Sequence, residues 1–105
     1  MSEFIPVASV SELEDGQKLL VEADDRLVLL FRVGADYYCL DDVCTHDGGT
    51  LSDGEHDSCS IRCPRHGARF DIRTGAALSM PATQPTAVHE VQIQGDQICV
   101  RINGG

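Results

Sequence analysis

Four side chains in this sequence have the types and spacing of a metal site. Cys44-Thr45-His46 and Cys63-Pro64-Arg65-His66 each offer one thiol and one imidazole, with sixteen residues between His46 and Cys63. A thiolate is a soft anionic ligand and a neutral imidazole a borderline one. The set therefore suits zinc, or an iron–sulfur cluster whose two irons are treated differently. The order Cys, His, Cys, His bears on the choice. The familiar zinc finger places both cysteines in one knuckle and both histidines on a later helix, whereas here each pair is mixed and followed by glycine, Gly48-Gly49 and Gly67. Two matching loops could clasp one binuclear cluster, with both cysteines on one iron and both histidines on the other. A mononuclear zinc site, or two buried cysteines and two surface histidines in Gly-rich turns, are the alternatives these residues leave open.

Loops of this kind need a rigid frame, and 105 residues allow one domain, 1–105, with a single core. The segments between Gly, Asp and Pro are short and rich in β-branched or alternating apolar residues, which predicts an all-β domain. The expected strands are 4–8, 17–23, 27–33, 37–41, 60–62, 69–72, 88–94 and 97–102. Gly34-Ala35-Asp36 and Gly95-Asp96 mark two hairpins, the second with a two-residue loop that suits strand twist. One helical turn is expected at Ser11 to Asp15, capped by Ser11 and stopped by Gly16. The stretches 42–59 and 73–87 are read as irregular, and loops this long in a small domain are usually functional or disordered.

Lys and Arg number 8 against 17 Asp and Glu, a net charge of −9, and 42% of residues are hydrophobic with 24% charged. That composition describes a folded globular domain, and its acidity argues against nucleic acid as a partner. Residues 1–25 alone hold seven acids against the single base Lys18. No apolar run approaches the roughly 18 residues of a membrane span, and the start lacks the layout of a secretory signal. A cytoplasmic protein with no membrane contact is expected. Of the other cysteines, Cys39 and Cys99 lie in apolar strand contexts and are assigned to the core, while Cys59 is left undecided. His56 and His89 are expected in solvent. Arg62, Arg65, Arg69 and Arg73 form the one basic cluster, expected to be solvated or paired with Asp47 and Asp53, with Arg65 a candidate for docking.

Cys44-Thr45-His46-Asp47-Gly48-Gly49 with Cys63-Pro64-Arg65-His66-Gly67 resembles the Rieske [2Fe–2S] signature, C-x-H followed by C-x-x-H. The resemblance continues through Arg69-Phe70-Asp71-Ile72, Thr74-Gly75 and 80–85, over roughly residues 3–102, and is strongest to the small soluble ferredoxins of multicomponent oxygenases. It implies a small antiparallel β-sandwich or barrel with a cluster-binding subdomain, approximately 42–85, built on two ligand loops. A proline loop would cover the cluster's third side, and residues 80–85 match it. Cys44, His46, Cys63 and His66 would be the ligands. Respiratory relatives carry an extra Cys in each loop and join them by a disulfide, where this chain has Gly49 and Arg65. They also carry Ser and Tyr hydroxyls that donate to sulfur, where this chain has Ala68 and Phe70.

Two ferric ions, two sulfides and four thiolates sum to −2, whereas two thiolates and two neutral imidazoles give 0. Adding an electron to a neutral centre meets less repulsion, and Rieske potentials accordingly span roughly −150 to +300 mV, against about −400 mV for plant-type clusters. Neither a dinucleotide fingerprint nor a second iron site of His and carboxylates is present, so an electron carrier rather than an enzyme is expected. It would pass electrons from a flavin-dependent ferredoxin reductase to a terminal non-haem iron oxygenase, as a monomer in transient contact with both. A fixed small subunit of a larger oxidoreductase such as nitrite reductase, and a zinc-stabilised interaction module, are the alternative functions.

Overall fold

The computed structural model describes residues 3–42, 50–57, 59–64, 67–80 and 85–102. The expected all-β class is what it shows, and the described residues form nine strands, β1 Ile5–Ser9, β2 Lys18–Ala23, β3 Arg26–Val33, β4 Asp36–Asp41, β5 His56–Asp57, β6 Ser60–Arg62, β7 Arg69–Asp71, β8 Val88–Gln94 and β9 Gln97–Arg101. Six of them form an antiparallel sheet in the order β1-β9-β8-β4-β3-β2, and β5-β6-β7 form a second, three-stranded sheet. The two edge strands of the large sheet, β1 and β2, approach each other, which curls it toward a barrel. Its interior is filled by Leu13, Ala23, Val28, Leu30, Cys39, Ile98, Val100 and Ile102.

Strand β3 explains how the two sheets join. Its run Val28-Leu29-Leu30-Phe31 is buried on both faces. Side chains of a strand alternate, so Val28 and Leu30 enter the barrel, while Leu29 and Phe31, with Leu40 of β4, face the small sheet. There they pack with Leu51, Ile61, Cys63, Ala68, Phe70 and Ile72 in a continuous apolar seam. This seam holds the ligand-loop region on the frame.

Three corrections follow. The expected helical turn is a 3-10 turn at Val10–Glu12, capped by Ser9 and not Ser11. Ser9 Oγ accepts from the Ser11 N–H at 3.4 Å, and Glu12 Oε1 accepts from the Ser9 N–H at 3.1 Å. Gly16 does not stop it, but at φ +83° donates its N–H to the Arg32 carbonyl at 2.8 Å. The second correction is β5, inside the stretch read as irregular, where His56 packs edge-on to Phe31 with centroids 5.0 Å apart. The third is a two-residue turn at Asp24-Asp25, between the paired Ala23 and Arg26, with φ of 55° and 61°. Both expected hairpin turns are present, Val33 pairing with Asp36 and Gln94 with Gln97.

Candidate metal centre

The second expected ligand loop joins β6 to β7. Arg62 and Arg69 are the last registered pair, and Cys63 follows directly. The Cys63 N–H donates to the Ala68 carbonyl at 2.7 Å, and the Gly67 N–H donates to the Cys63 carbonyl at 3.0 Å. Both backbone groups of Cys63 are thus fixed. Gly67 closes the turn at φ +76°, a conformation that costs glycine little and other residues more. Cys63 is 1% exposed, in the seam with Ala68 and Phe70, and forms no disulfide.

The first expected ligand loop leaves β4 after Asp42. Asp42 is buried, and its Oδ1 accepts from the Leu51 N–H at 2.7 Å, a bond that ties the two ends of segment 43–49 together. Leu51 then anchors the returning chain in the seam. Gly54 donates to the Leu51 carbonyl at 2.9 Å and lies so close to β6 that an added Cβ would be 1.8 Å from the Arg62 carbonyl oxygen. The first loop is thereby pressed against the residue before Cys63. A third loop is closed by the Thr86 N–H donating to the Gly75 carbonyl at 2.8 Å, where a Cβ on Gly75 would be 2.2 Å from the Thr86 carbonyl oxygen. Sequence reasoning missed Asp42 and Gly54 as positioning residues. Their signal was an acid at a strand end and a glycine among acids, which elsewhere mark only turns.

Of the four expected ligands, Cys63 is described. Cys44, His46 and His66 lie outside the described residues, as do Arg65, Asp47 and the loop residues 81–84. Among the described residues no three His, Cys, Asp or Glu side chains converge as a metal site. The donor chemistry that is visible fits a cluster: a buried cysteine outside any disulfide, its backbone fixed, with the base of the other loop hydrogen-bonded shut beside it. A cleft of about 410 Å³ reaches this point, bounded by Asp53, Glu55, Arg62, Cys63, Pro64 and Gly67.

The remaining candidates sort by burial. Cys39 and Cys99 are core residues, as expected, and burial followed by the nearby Asp41 carboxylate pushes the Cys39 thiol up to about 12 from 9.0. Such a thiol is a poor ligand. Cys59 is half-buried. His89 is not solvated: it is 5% exposed, and its Nε2 lies 2.6 Å from Asp41 Oδ1. It shares the inward face of the sheet with Cys39, its registered partner, and the Asp41 carboxylate offsets the burial of its imidazole. His56 is half-buried against Phe31 rather than in solvent. Arg73 pairs with Asp71 through two bonds, Nε to Oδ1 at 3.2 Å and Nη2 to Oδ2 at 3.1 Å, and not with Asp53. That guanidinium holds the Asp71 carboxyl below the usual carboxylate range.

Comparison with known proteins gives consistent matches. The Rieske [2Fe–2S] domain matches residues 3–99. The 3-phenylpropionate/cinnamic acid dioxygenase ferredoxin subunit of Escherichia coli (strain K12) is 35% identical over 96 residues, covering 90% of this chain and 87% of that protein. The solved ferredoxin of carbazole 1,9a-dioxygenase from Nocardioides aromaticivorans IC177 superposes with a TM-score of 0.89 at 30% identity, covering 92% of this chain and 95% of that one. A chain in the complex of reduced oxygenase and oxidized ferredoxin in carbazole 1,9a-dioxygenase gives 0.87 at 32% identity, covering 93% and 92%. No described helix is long and apolar enough to cross a membrane.

Proposed function

Because the chain belongs to the Rieske [2Fe–2S] domain family, we propose that Cys44 and Cys63 hold one iron of its cluster and His46 and His66 the other. The protein is a one-electron carrier of the ferredoxin type and not itself an oxygenase. The observation that carries this is the likeness to ferredoxin subunits of dioxygenases. A dioxygenase ferredoxin subunit is 35% identical over 90% of this chain and 87% of its own length, which supports the carrier reading. It accepts electrons from a flavin-dependent reductase and delivers them to a terminal non-haem iron oxygenase, in the cytoplasm and as a monomer. The complex of oxygenase and ferredoxin in the carbazole system supports the second contact. Residues 1–105 act as one domain, with the cluster-binding subdomain at about 42–85, a reading supported by the apolar seam between the two sheets.

The cluster supplies a one-electron couple at moderate potential. The chain supplies the cage. Cys63 is fixed by its backbone bonds to Ala68 and Gly67, Asp42 and Gly54 set the base of the first loop against β6, and the Gly75–Thr86 bond closes the third. Ala68 and Phe70 bring no hydroxyl to the buried surface around Cys63.

Spectra of holoprotein prepared without chelators or added metal test this reading. Two irons and two acid-labile sulfides per chain, with a rhombic EPR signal only after reduction, are expected, and Cys63→Ser or His66→Ala should abolish that signal. Replacing Cys39 or Cys99 with Ala should keep it. One zinc per chain, or a normal spectrum from His66→Ala, would overturn the ligand set.

A further inference from the structure

Eight cations serve a chain of net charge −9. Most of those described are already engaged. Arg26 lies 3.9 Å from Asp41, Arg73 is bidentate on Asp71, Arg101 pairs with Glu90, and Arg32 donates to the Leu13 and Gly34 carbonyls. Lys18, Arg62 and Arg69 have no ion pair or side-chain hydrogen bond among the described residues, and these three line one cleft of about 450 Å³. Lys18 comes from the edge strand β2, and the two arginines from the small sheet.

The arrangement is costly for the folded chain alone. Arg62 and Arg69 are direct register partners, and like charges directly opposite each other on a sheet repel. Glu55 and Asp57 also line the cleft, but among the described residues neither forms an ion pair with Lys18, Arg62 or Arg69. Three cations against two carboxylates leave a positive cleft on a strongly negative molecule. Through Gly54, Glu55 and Arg62 it continues into the cleft that ends at Cys63 and Gly67. Arg62 covers the ligand turn itself, since a Cβ on Gly67 would lie 3.4 Å from its guanidinium nitrogens. On the other side of Arg69, whose carbonyl accepts from the Leu78 N–H at 2.7 Å, Leu78 and Met80 are 53% and 75% exposed.

We propose that the Lys18–Arg62–Arg69 cleft, with Leu78 and Met80 at its margin, is the docking site for a carboxylate-bearing segment of the protein that exchanges electrons with this chain. The proposal rests on the electron-carrier function. Unsatisfied cations beside exposed apolar side chains match the composition of a small transient interface, in which charge steers the encounter and apolar contact holds it briefly. Lys18 is the informative member, because it belongs to the frame and not to a ligand loop. Arg73, although close in sequence, is neutralised by Asp71 and takes no part.

Stopped-flow oxidation of the reduced holoprotein at low ionic strength tests the site. One electron passes from the cluster to hexacyanoferrate(III), giving hexacyanoferrate(II), and no proton moves. Lys18→Glu and Arg69→Glu should each slow this trianionic oxidant about threefold to tenfold and speed the trication hexaamminecobalt(III), while Arg101→Gln changes neither. The potential of Lys18→Glu should equal that of the wild type. Hexaglutamate should slow the hexacyanoferrate(III) reaction of the wild type but not of Lys18→Glu. Equal rates for all variants in protein whose spectrum shows an intact cluster would overturn the docking site alone. Sulfate as effective as hexaglutamate at equal ionic strength would replace it with a small-anion site. A colourless preparation would overturn the carrier function with it.

Discussion

The six-stranded sheet and the three-stranded ligand-loop region are held by different means. Strands of the large sheet run five to eight residues, with continuous registers between β2, β3 and β4 and between β8 and β9. Those of the small sheet run two or three. The first region is fixed by alternation, every second side chain entering the barrel or the seam. The second rests on the frame through the seam, but its loops are fixed by single contacts: one carboxylate on one N–H at Asp42–Leu51, and backbone approaches at Gly54 and Gly75 that leave no room for a methyl group. A frame built from repeated weak choices tolerates change, whereas a cage built from few contacts does not.

The sharpest way to break this contrast is Gly54→Ala. Its Cβ would meet the Arg62 carbonyl at 1.8 Å, next to Cys63, so a loss of about 3 kcal/mol or more and release of the cluster are expected. Gly16→Ala, with nothing within 4 Å, should cost only the left-handed backbone, about 1–2 kcal/mol, and keep the cluster. Thermal denaturation monitored at the cluster absorbance checks both, and equal losses would erase the distinction between frame and cage.

A second test concerns the chemistry of the small region. Ala68 and Phe70 are fully buried beside Cys63 and donate no hydrogen bond from their side chains, so the wild-type potential should lie at about −200 to −100 mV, near the low end for such clusters. A donor stabilises the more negative reduced cluster more than the oxidised one. A hydrogen bond to a charged acceptor contributes about 1.5–3 kcal/mol, and about 1.4 kcal/mol corresponds to 59 mV for one electron. Only part of that energy differs between redox states, so Ala68→Ser and Phe70→Tyr should each raise the potential by about 50–100 mV with the spectrum preserved. Protein-film voltammetry reads the shift, and a wild-type value above zero would contradict the assignment.

The smallest effect belongs to the frame. Asp24 and Asp25 both hold positive φ in the β2–β3 turn, where Asp-Gly is the favoured pair. Asp25→Gly should therefore stabilise the protein by about 0.5–1 kcal/mol, a rise in Tm of a few degrees, without touching the cluster spectrum. A fall in Tm would show that Asp25 contributes something besides strain.

The same contrast explains what was legible in the sequence. β6 and β8 fall where alternation and β-branched residues place them, and most other strand ends differ by one residue. β5 was not legible, since two polar residues carry no period and its place depends on His56 meeting Phe31 across the seam. His89 looked like a surface residue because a polar side chain ordinarily is one. Its burial depends on Asp41, 48 positions away in the chain, which no local pattern reveals. The helical turn shifted because the capping pair is Ser9 with Glu12, a reciprocal arrangement that outweighed the single cap expected of Ser11. Of the site's described residues Cys63 was the most legible in the sequence, and the supports at Asp42 and Gly54 the least. A candidate ligand is suggested by residue type, whereas a support is specified by proximity.

The two-sided burial of β3 reaches beyond the finished molecule, into its biosynthesis. In a newly made chain whose small sheet has not yet settled, Leu29, Phe31 and Leu40 lack the cover they have in the seam. A contiguous apolar patch of this kind is what chaperones hold and proteases recognise. Maturation by cofactor delivery and escape from quality control are then one event, and the amount of this protein a cell keeps should follow its supply of iron and sulfide.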